Sequence, residues 1–257
     1  MSELFSDEQL LRYSRQLLLE DVGLDGQERL RDAVVLMVGA GGLANPAALY
    51  LVGAGIGRLV VADDDRVDLS NLHRQIAFRG EQVGDSKVQA LAARLHELNP
   101  EVVVEAVQIR VDAAWLDRQV PAATLVLDCC DNFATRQAVN AACVRHRKPL
   151  VSGAAVRLDG QLAVFDLRDP DSACYACVYG DGTDGDLACS EAGILGPVVG
   201  AIGTLQALLA IHLVTGRPVA PVLRLFDGRT AAWREVRFHK DPACPVCGKA
   251  RKPGQRF

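Results

Sequence analysis

Short apolar runs and longer stretches of helical spacing take turns along the first 153 residues. "SDEQLLRYSRQLLLE" has helical spacing and a capping box from Ser6 to Gln9, and "DGQERLRDA" predicts a second short helix. Strand and helix then alternate: "AVVLMVG" strand, "LANPAALYLVGAG" helix, "RLVVADDD" strand, "GDSKVQALAARLHEL" helix, "EVVVEAVQI" strand. "DAAWLDRQV" (helix), "TLVLDCCD" (strand), "NFATRQAVNAACVRHR" (helix) and "PLVSGA" (strand) continue the series. The helix of "GDSKV" is expected to be capped near Asp85 or Ser86 and stopped at Asn99-Pro100. Such alternation predicts an α/β fold: a Rossmann-like, mostly parallel sheet with right-handed crossovers.

After residue 153 the rhythm changes. "VRLDGQLAVFDL" and "VLRLFDGRTAAWREVRF" each place Asp-Gly between apolar runs, predicting hairpins at Asp159-Gly160 and Asp227-Gly228. Antiparallel strands therefore continue the parallel sheet. Between them, "GILGPVVGAIGTLQALLAIHLVTG" is long enough to span a bilayer, but it holds Pro197, Gln206 and His212 and lacks a basic flank. It reads as a buried helix and a candidate dimer face, not a membrane span. "YGDGTDGDLACSEAG" reads as a surface loop.

Length and composition fit one large domain: 257 residues, 49% apolar and 23% charged. The expected parts are a helical arm over 1–30, a nucleotide-binding half over 31–153, a second half over 154–248 and a tail over 249–257. A net charge of −4 gives no basic footprint for nucleic acid. The acidic, polar start "MSELFSDEQL" is not a secretory signal, so a cytoplasmic protein is expected.

"GAGGLANP" follows the first predicted strand and opens a helix. Gly39 permits the tight turn, Gly41 admits phosphate to the backbone, and Ala44 fills the third small position of Gly-x-Gly-x-x-Ala. Asp63, ending the next strand, is placed for a ribose hydroxyl. Alone this says "nucleotide" and leaves NAD open, and a purely structural glycine turn is the bland alternative. The five histidines are scattered singly and offer no hydride-transfer site.

"DDDRVDLSNLHRQ" and "GDSKVQA" then bring Asn71, Arg74, Gln75 and Lys87 near the end of the second strand, while "LDCCDN" puts Asp128 and Asp131 at the end of a later one. In an open parallel sheet these ends line one crevice. Cations plus an acid beside a phosphate loop suit a triphosphate with Mg²⁺, the alternative being ordinary surface ion pairs. Of eight cysteines, Cys174, Cys177, Cys244 and Cys247 form two Cys-x-x-Cys pairs, the composition of a closed, structural four-cysteine zinc knuckle. Four reduced buried thiols are the alternative. Cys129, Cys130 and Cys143 read as packing residues.

"GAGGLANP", "DDDRVDLSNLHRQ", "VGDSKV", "LDCCDNFATR", "PLVSGAAV", "CYAC" and "CPVCG" together resemble the ubiquitin-activating-enzyme-like family of bacterial sulfur-carrier adenylyltransferases, MoeB and ThiF. The resemblance runs from "RYSRQ" to "CPVCG". It departs at Ala44-Asn45, where the family usually has Gly-Ser or Gly-Cys; Asn45 is expected to alter contacts near the phosphates.

The resemblance implies ATP-dependent adenylylation of the C-terminal Gly-Gly of a ubiquitin-like sulfur carrier, with ATP, Mg²⁺ and Zn²⁺ bound. It gives Arg74, Lys87 and Asp131 (near Mg²⁺) catalytic roles, and Arg15 one supplied across a homodimer. Gly39, Gly41, Gly42, Asp63, Asp65, Asn71, Gln75 and Asn132 would contact the nucleotide. Cys189 lies near a family cysteine that bonds to the carrier; an inert loop thiol is the equal alternative, since neighbouring acids disfavour its thiolate. "PLVSGAAVRLDGQ" leans towards the molybdopterin-synthase type; "ADDD", "TRQAVNAACV" and "LRLFDGRT" match the thiazole type about as well. With "RKPGQRF" closing the sequence, the sulfur donor is expected to be a separate protein. A Rossmann NAD(P) oxidoreductase and a scaffold that docks the carrier without catalysis are the rival classes.

Overall fold

The computed structural model describes residues 5–180 and 193–248. Its frame is one sheet whose strands follow the predicted rhythm: β1 (Val34–Val38), β2 (Arg58–Ala62), β3 (Val103–Val107), β4 (Leu125–Asp128), β5 (Leu150–Val156), β6 (Asp159–Phe165), β7 (Val222–Asp227) and β8 (Ala232–Arg237). Their order is β3-β2-β1-β4-β5-β6-β7-β8. Neighbours from β3 through β5 pair in parallel, and those from β5 to β8 antiparallel. The order reverses at β1, between β2 and β4, which opens a crevice at the carboxyl ends of these strands.

Helices cover both faces. The N-terminal arm supplies α1 (Asp7–Arg12), α2 (Ser14–Leu17) and α3 (Gly23–Asp32); the crossovers are α4 (Ala44–Gly53), α5 (Lys87–Leu98), α6 (Ala113–Gln119) and α7 (Phe133–His146). A short α8 (Tyr175–Tyr179) and the long α9 (Gly196–Thr215) follow. β1, buried on both faces, feeds two cores: Val35 and Met37 join α4, α5 and α9, while Leu36 and Val38 join α6, α7 and the segment around Cys174. Continuous apolar strands are what a sheet covered on both sides requires.

The predicted first helix has its capping box, Ser6 to Gln9, yet it breaks at Tyr13. Tyr13 is buried there and its hydroxyl accepts a hydrogen bond from Asn99 Nδ2 at 2.9 Å, so a tertiary contact overrides helical propensity. The first hairpin also differs from expectation. Val156 pairs with Asp159, so Arg157-Leu158 make the turn and Asp159-Gly160 lie inside β6. Arg157 takes φ 56°, held by its N–H on Gly193 O and its carbonyl on Leu195 N. Gly160 is small for a different reason: a Cβ there would stand 2.5 Å from Ile202 of α9. The second hairpin turns just after Asp227, as the sequence predicts.

α9 occupies the predicted apolar run and packs against α4 and the β4–β6 face. It is long and apolar enough to cross a bilayer, yet 61% of its most apolar window is buried within the protein. Gln206 explains the polar break in that run. Fully buried, it donates from Nε2 to Asp128 O at 2.8 Å, tying α9 to the end of β4.

Candidate active site

The carboxyl ends of β1, β2 and β4 open into a cleft of about 720 Å³. Gly39, Gly41 and Gly42 form its floor at the β1–α4 turn, and Asp63, Asp64 and Asp65 leave β2 along one wall. The arm between β2 and α5 contributes Ser70, Asn71, Arg74 and Gln75; Lys87 enters at the first turn of α5. Asp131 and Asn132 close the side beyond β4. Apart from Arg15, every residue expected to bind nucleotide or act in catalysis lines this one cavity, and the four cysteines of the knuckle lie elsewhere.

Gly39 is required by the turn. Its φ is 97°, and a Cβ would meet Cys129 O at 2.6 Å. Gly41 is different: a Cβ would touch only Gln75 Nε2, at 3.7 Å, so its smallness keeps space in the cleft. Asp63 braces the loop from the side. Its Oδ2 accepts from Ala40 N at 2.6 Å and its Oδ1 from Asp65 N at 2.8 Å. Burial nevertheless holds the Asp63 carboxyl above the ordinary aspartate value, against the pull of these two N–H bonds and of Lys87.

Lys87 is buried, and its Nζ donates to Asp65 Oδ2 at 2.8 Å. Arg74 points its guanidinium along the arm, with Nη1 on Ser70 O at 3.0 Å. Gln75 is 3% exposed, and its Oε1 has no hydrogen-bond partner. A buried amide oxygen at the wall of a polar cleft is costly unless something donates to it. Asn132 caps α7, its Oδ1 accepting from Thr135 N at 2.9 Å, so half of its amide serves the fold. The N-cap of α5 falls on Ser86, but its hydroxyl makes no capping bond.

The two aspartates after β4 have separate fates. Asp131 is exposed at the rim. Asp128 is 1% exposed and engaged on all sides, by Arg136 Nη1 at 2.9 Å, Ser152 Oγ at 2.7 Å and Cys130 Sγ at 2.6 Å. Arg136 also donates to Cys130 O, fixing the chain just before Asp131. Burial raises the Cys129, Cys130 and Cys143 thiols well above their usual range, which leaves them packing groups without nucleophilic character.

Arg15, on α2, is exposed and does not line the cleft. Cys189 lies outside the described residues. Sequence reasoning missed Arg136, Arg110, Asp64 and the apolar pair Ile109 and Val111, all on the cleft. Ile109 and Val111 had the signal of an apolar pair past the end of β3.

The four cysteines of the knuckle meet, although 70 residues separate Cys174 from Cys244 and Cys177 from Cys247. Cys174 Sγ lies 3.9 Å from Cys177 Sγ and 3.7 Å from Cys244 Sγ, and Cys177 lies 3.3 Å from Cys247. All four sulfurs fall within 4.8 Å of one another. A tetrahedron with zinc–sulfur bonds of about 2.3 Å has edges of about 3.8 Å. The donor set fits a tetrathiolate metal site.

A glycine loop at a topological switch point, an acid on the next strand and a cation-lined cleft define a nucleotide-binding α/β protein. The profile of the ThiF family matches residues 13–246, and the chain belongs to that family. It is 49% identical over 245 residues to the sulfur carrier protein ThiS adenylyltransferase of Escherichia coli (strain K12), covering 95% of this chain and 97% of that protein. It is 41% identical over 251 residues to the molybdopterin-synthase adenylyltransferase of Salmonella typhimurium, covering 97% and 100%. The solved structure of Escherichia coli MccB with ATP shares the fold, with a TM-score of 0.81 at 24% identity over 96% of this chain and 76% of that one.

Proposed function

We propose that the protein transfers AMP from ATP to the C-terminal Gly-Gly carboxylate of a ubiquitin-like sulfur carrier, releasing pyrophosphate and activating the carrier for thiocarboxylate formation. The observation that carries this reading is the meeting of Arg74, Lys87 and Asp131 with Gly41 and Asp63 in one cleft. Relatives named as a sulfur carrier protein ThiS adenylyltransferase and a molybdopterin-synthase adenylyltransferase, matched over nearly their whole length, agree with it.

The reaction suits this inventory. A C-terminal carboxylate is already ionised at neutral pH, so its oxygen attacks the α-phosphorus without a general base. The P–O bond to pyrophosphate breaks and its electron pair leaves with the pyrophosphate. The barrier comes from bringing anion to anion and from charge building on the leaving group. Arg74 and Lys87, held in place before substrate arrives, offset both. Asp63 would hold the ribose, and Asn71 and Gln75 the phosphates; the Gln75 oxygen, an acceptor, would take a donor such as a bound water or ligand hydroxyl. Mg²⁺ neutralises triphosphate charge when bound. Asp131, exposed at the rim, would supply it an oxygen ligand of the right hardness.

Cys174, Cys177, Cys244 and Cys247 would hold zinc in a structural role, since four sulfurs leave no open position. Arg15 would act from a second subunit of a cytoplasmic homodimer. Subunits carrying R15A and K87A should then recover activity on mixing, and no recovery would remove the role in trans. A separate protein would donate sulfur, and Cys189 is the candidate for a covalent link to the carrier.

The carrier is of the molybdopterin-synthase or the thiazole type. The hairpin segment from Pro149 favours the first slightly, and the 49% identity to a ThiS adenylyltransferase favours the second. Carrier-dependent ATP–pyrophosphate exchange, measured with a carrier of each type, decides between them. Exchange with neither, alongside tight NAD(P) binding, would refute both.

A further inference from the structure

The residue that departs from the family pattern holds the cleft together. Asn45 is the second residue of α4, fully buried, and every polar atom of its side chain is engaged. Its Nδ2 donates to Ala40 O at 3.1 Å and to Gly41 O at 3.0 Å. Its Oδ1 accepts from Ala77 N at 2.9 Å. The first two bonds reach the glycine loop, and the third reaches the arm that bears Arg74 and Gln75.

The consequence for the loop is electrostatic. A phosphate-binding turn must show N–H groups to its ligand and keep its carbonyl oxygens away. Here the Ala40 and Gly41 carbonyls are both turned onto Asn45, and the Gly41 carbonyl also accepts from the Asn45 backbone N–H at 3.0 Å. The N–H groups of Gly41 and Gly42 have no partner among the described residues. The same side chain fixes the distance between loop and arm, where space is tight: a Cβ on Gly42 would lie 3.4 Å from Arg74 O. A serine or cysteine is too short to bond Ala40 O and Ala77 N at once.

We propose that Asn45 is a positioning residue that orients the phosphate loop for N–H donation and locks it to the Arg74–Gln75 arm, so that its loss weakens nucleotide handling selectively. This rests on the adenylyl-transfer reading above. The test uses the full-length protein with N45D and N45A. N45D keeps the shape but sets a carboxylate oxygen against two carbonyls; N45A removes all three bonds by truncation and adds no bulk. Steady-state pyrophosphate exchange should show KM for ATP raised roughly ten-fold or more in both, with KM for the carrier within about two-fold of the parent. Direct titration with a non-hydrolysable ATP analogue, without carrier, should show the same loss. Parental ATP affinity in both variants would overturn the proposal, as would equal losses for ATP and carrier that merely follow a lower Tm. If the unsubstituted protein shows no exchange but still binds the analogue, the enzymatic reading fails while the binding comparison still judges Asn45.

Discussion

The Nζ of Lys87 sits 2.8 Å from Asp65 Oδ2, with the lysine side chain 7% exposed and the aspartate 64%. The pair stores a cation at the cleft wall: water is kept from the ammonium, while its partner can swing into solvent when phosphate oxygens arrive. Truncation in K87A removes charge stabilisation that is stronger in the transition state, and should lower kcat/KM for exchange by about 10²-fold or more. D65N, which removes only the stored partner, should cost far less. Equal losses in the two variants, measured by exchange, would contradict this division.

Asp128 and Asp131 are three residues apart and should behave oppositely. D131A should abolish most exchange at ordinary Mg²⁺ while leaving the Tm near parental. D128A leaves the Arg136 guanidinium buried without its carboxylate, which costs about 3–5 kcal/mol of stability. Chemical denaturation and exchange, run on both variants, separate the two roles; a stable D128A or an unstable D131A would reverse the assignment.

Acid should reach Asp63 early. Burial raises this carboxyl above its value in an unfolded chain, so the folded protein holds the proton more tightly. Its contribution to stability is therefore present below the unfolded value, about 4, and is lost as pH rises through the folded value. Function runs the other way, because the ionised form is the better acceptor for a ribose hydroxyl. Nucleotide affinity should fall as the pH drops through the raised value, and a carbon-detected titration should place the Asp63 midpoint above an ordinary aspartate. A midpoint at or below the ordinary value would contradict the role of burial.

The sulfur cluster should matter for stability more than for chemistry. It joins the segment after β8 to α8, far along the chain from the glycine loop. C244S, or exhaustive chelation, should lower the Tm by on the order of 10 °C. Below the new transition, KM for ATP should be little changed. Metal analysis of protein purified without chelator should find one zinc per chain; none, or a cluster whose loss leaves the Tm intact, would overturn the assignment.

Much of this was legible in the chain because period and chemistry agree there. The alternation of β1 to β5 with α4 to α7 is carried by apolar spacing, and an open parallel sheet gathers strand-end residues in one place whatever lies between them. What escaped is tertiary. Tyr13 breaks a helix because Asn99 holds its hydroxyl, a contact across 86 residues. Asp159-Gly160 mimics a turn, but its glycine answers to Ile202 of α9. Asp128 and Asp131 look alike in sequence, and only Arg136, Ser152 and Cys130 distinguish them. The Ala44-Asn45 departure was visible as an oddity, but the bond that ties Asn45 to the Arg74–Gln75 arm spans 32 residues.

The most direct measurement is the intact mass of a candidate carrier after incubation with this protein, ATP and Mg²⁺. An AMP adduct is expected on the carrier's C-terminus, formed with release of pyrophosphate and absent when the terminal Gly-Gly is removed. A carrier that binds but gains no mass, under conditions where ATP is bound, would contradict it.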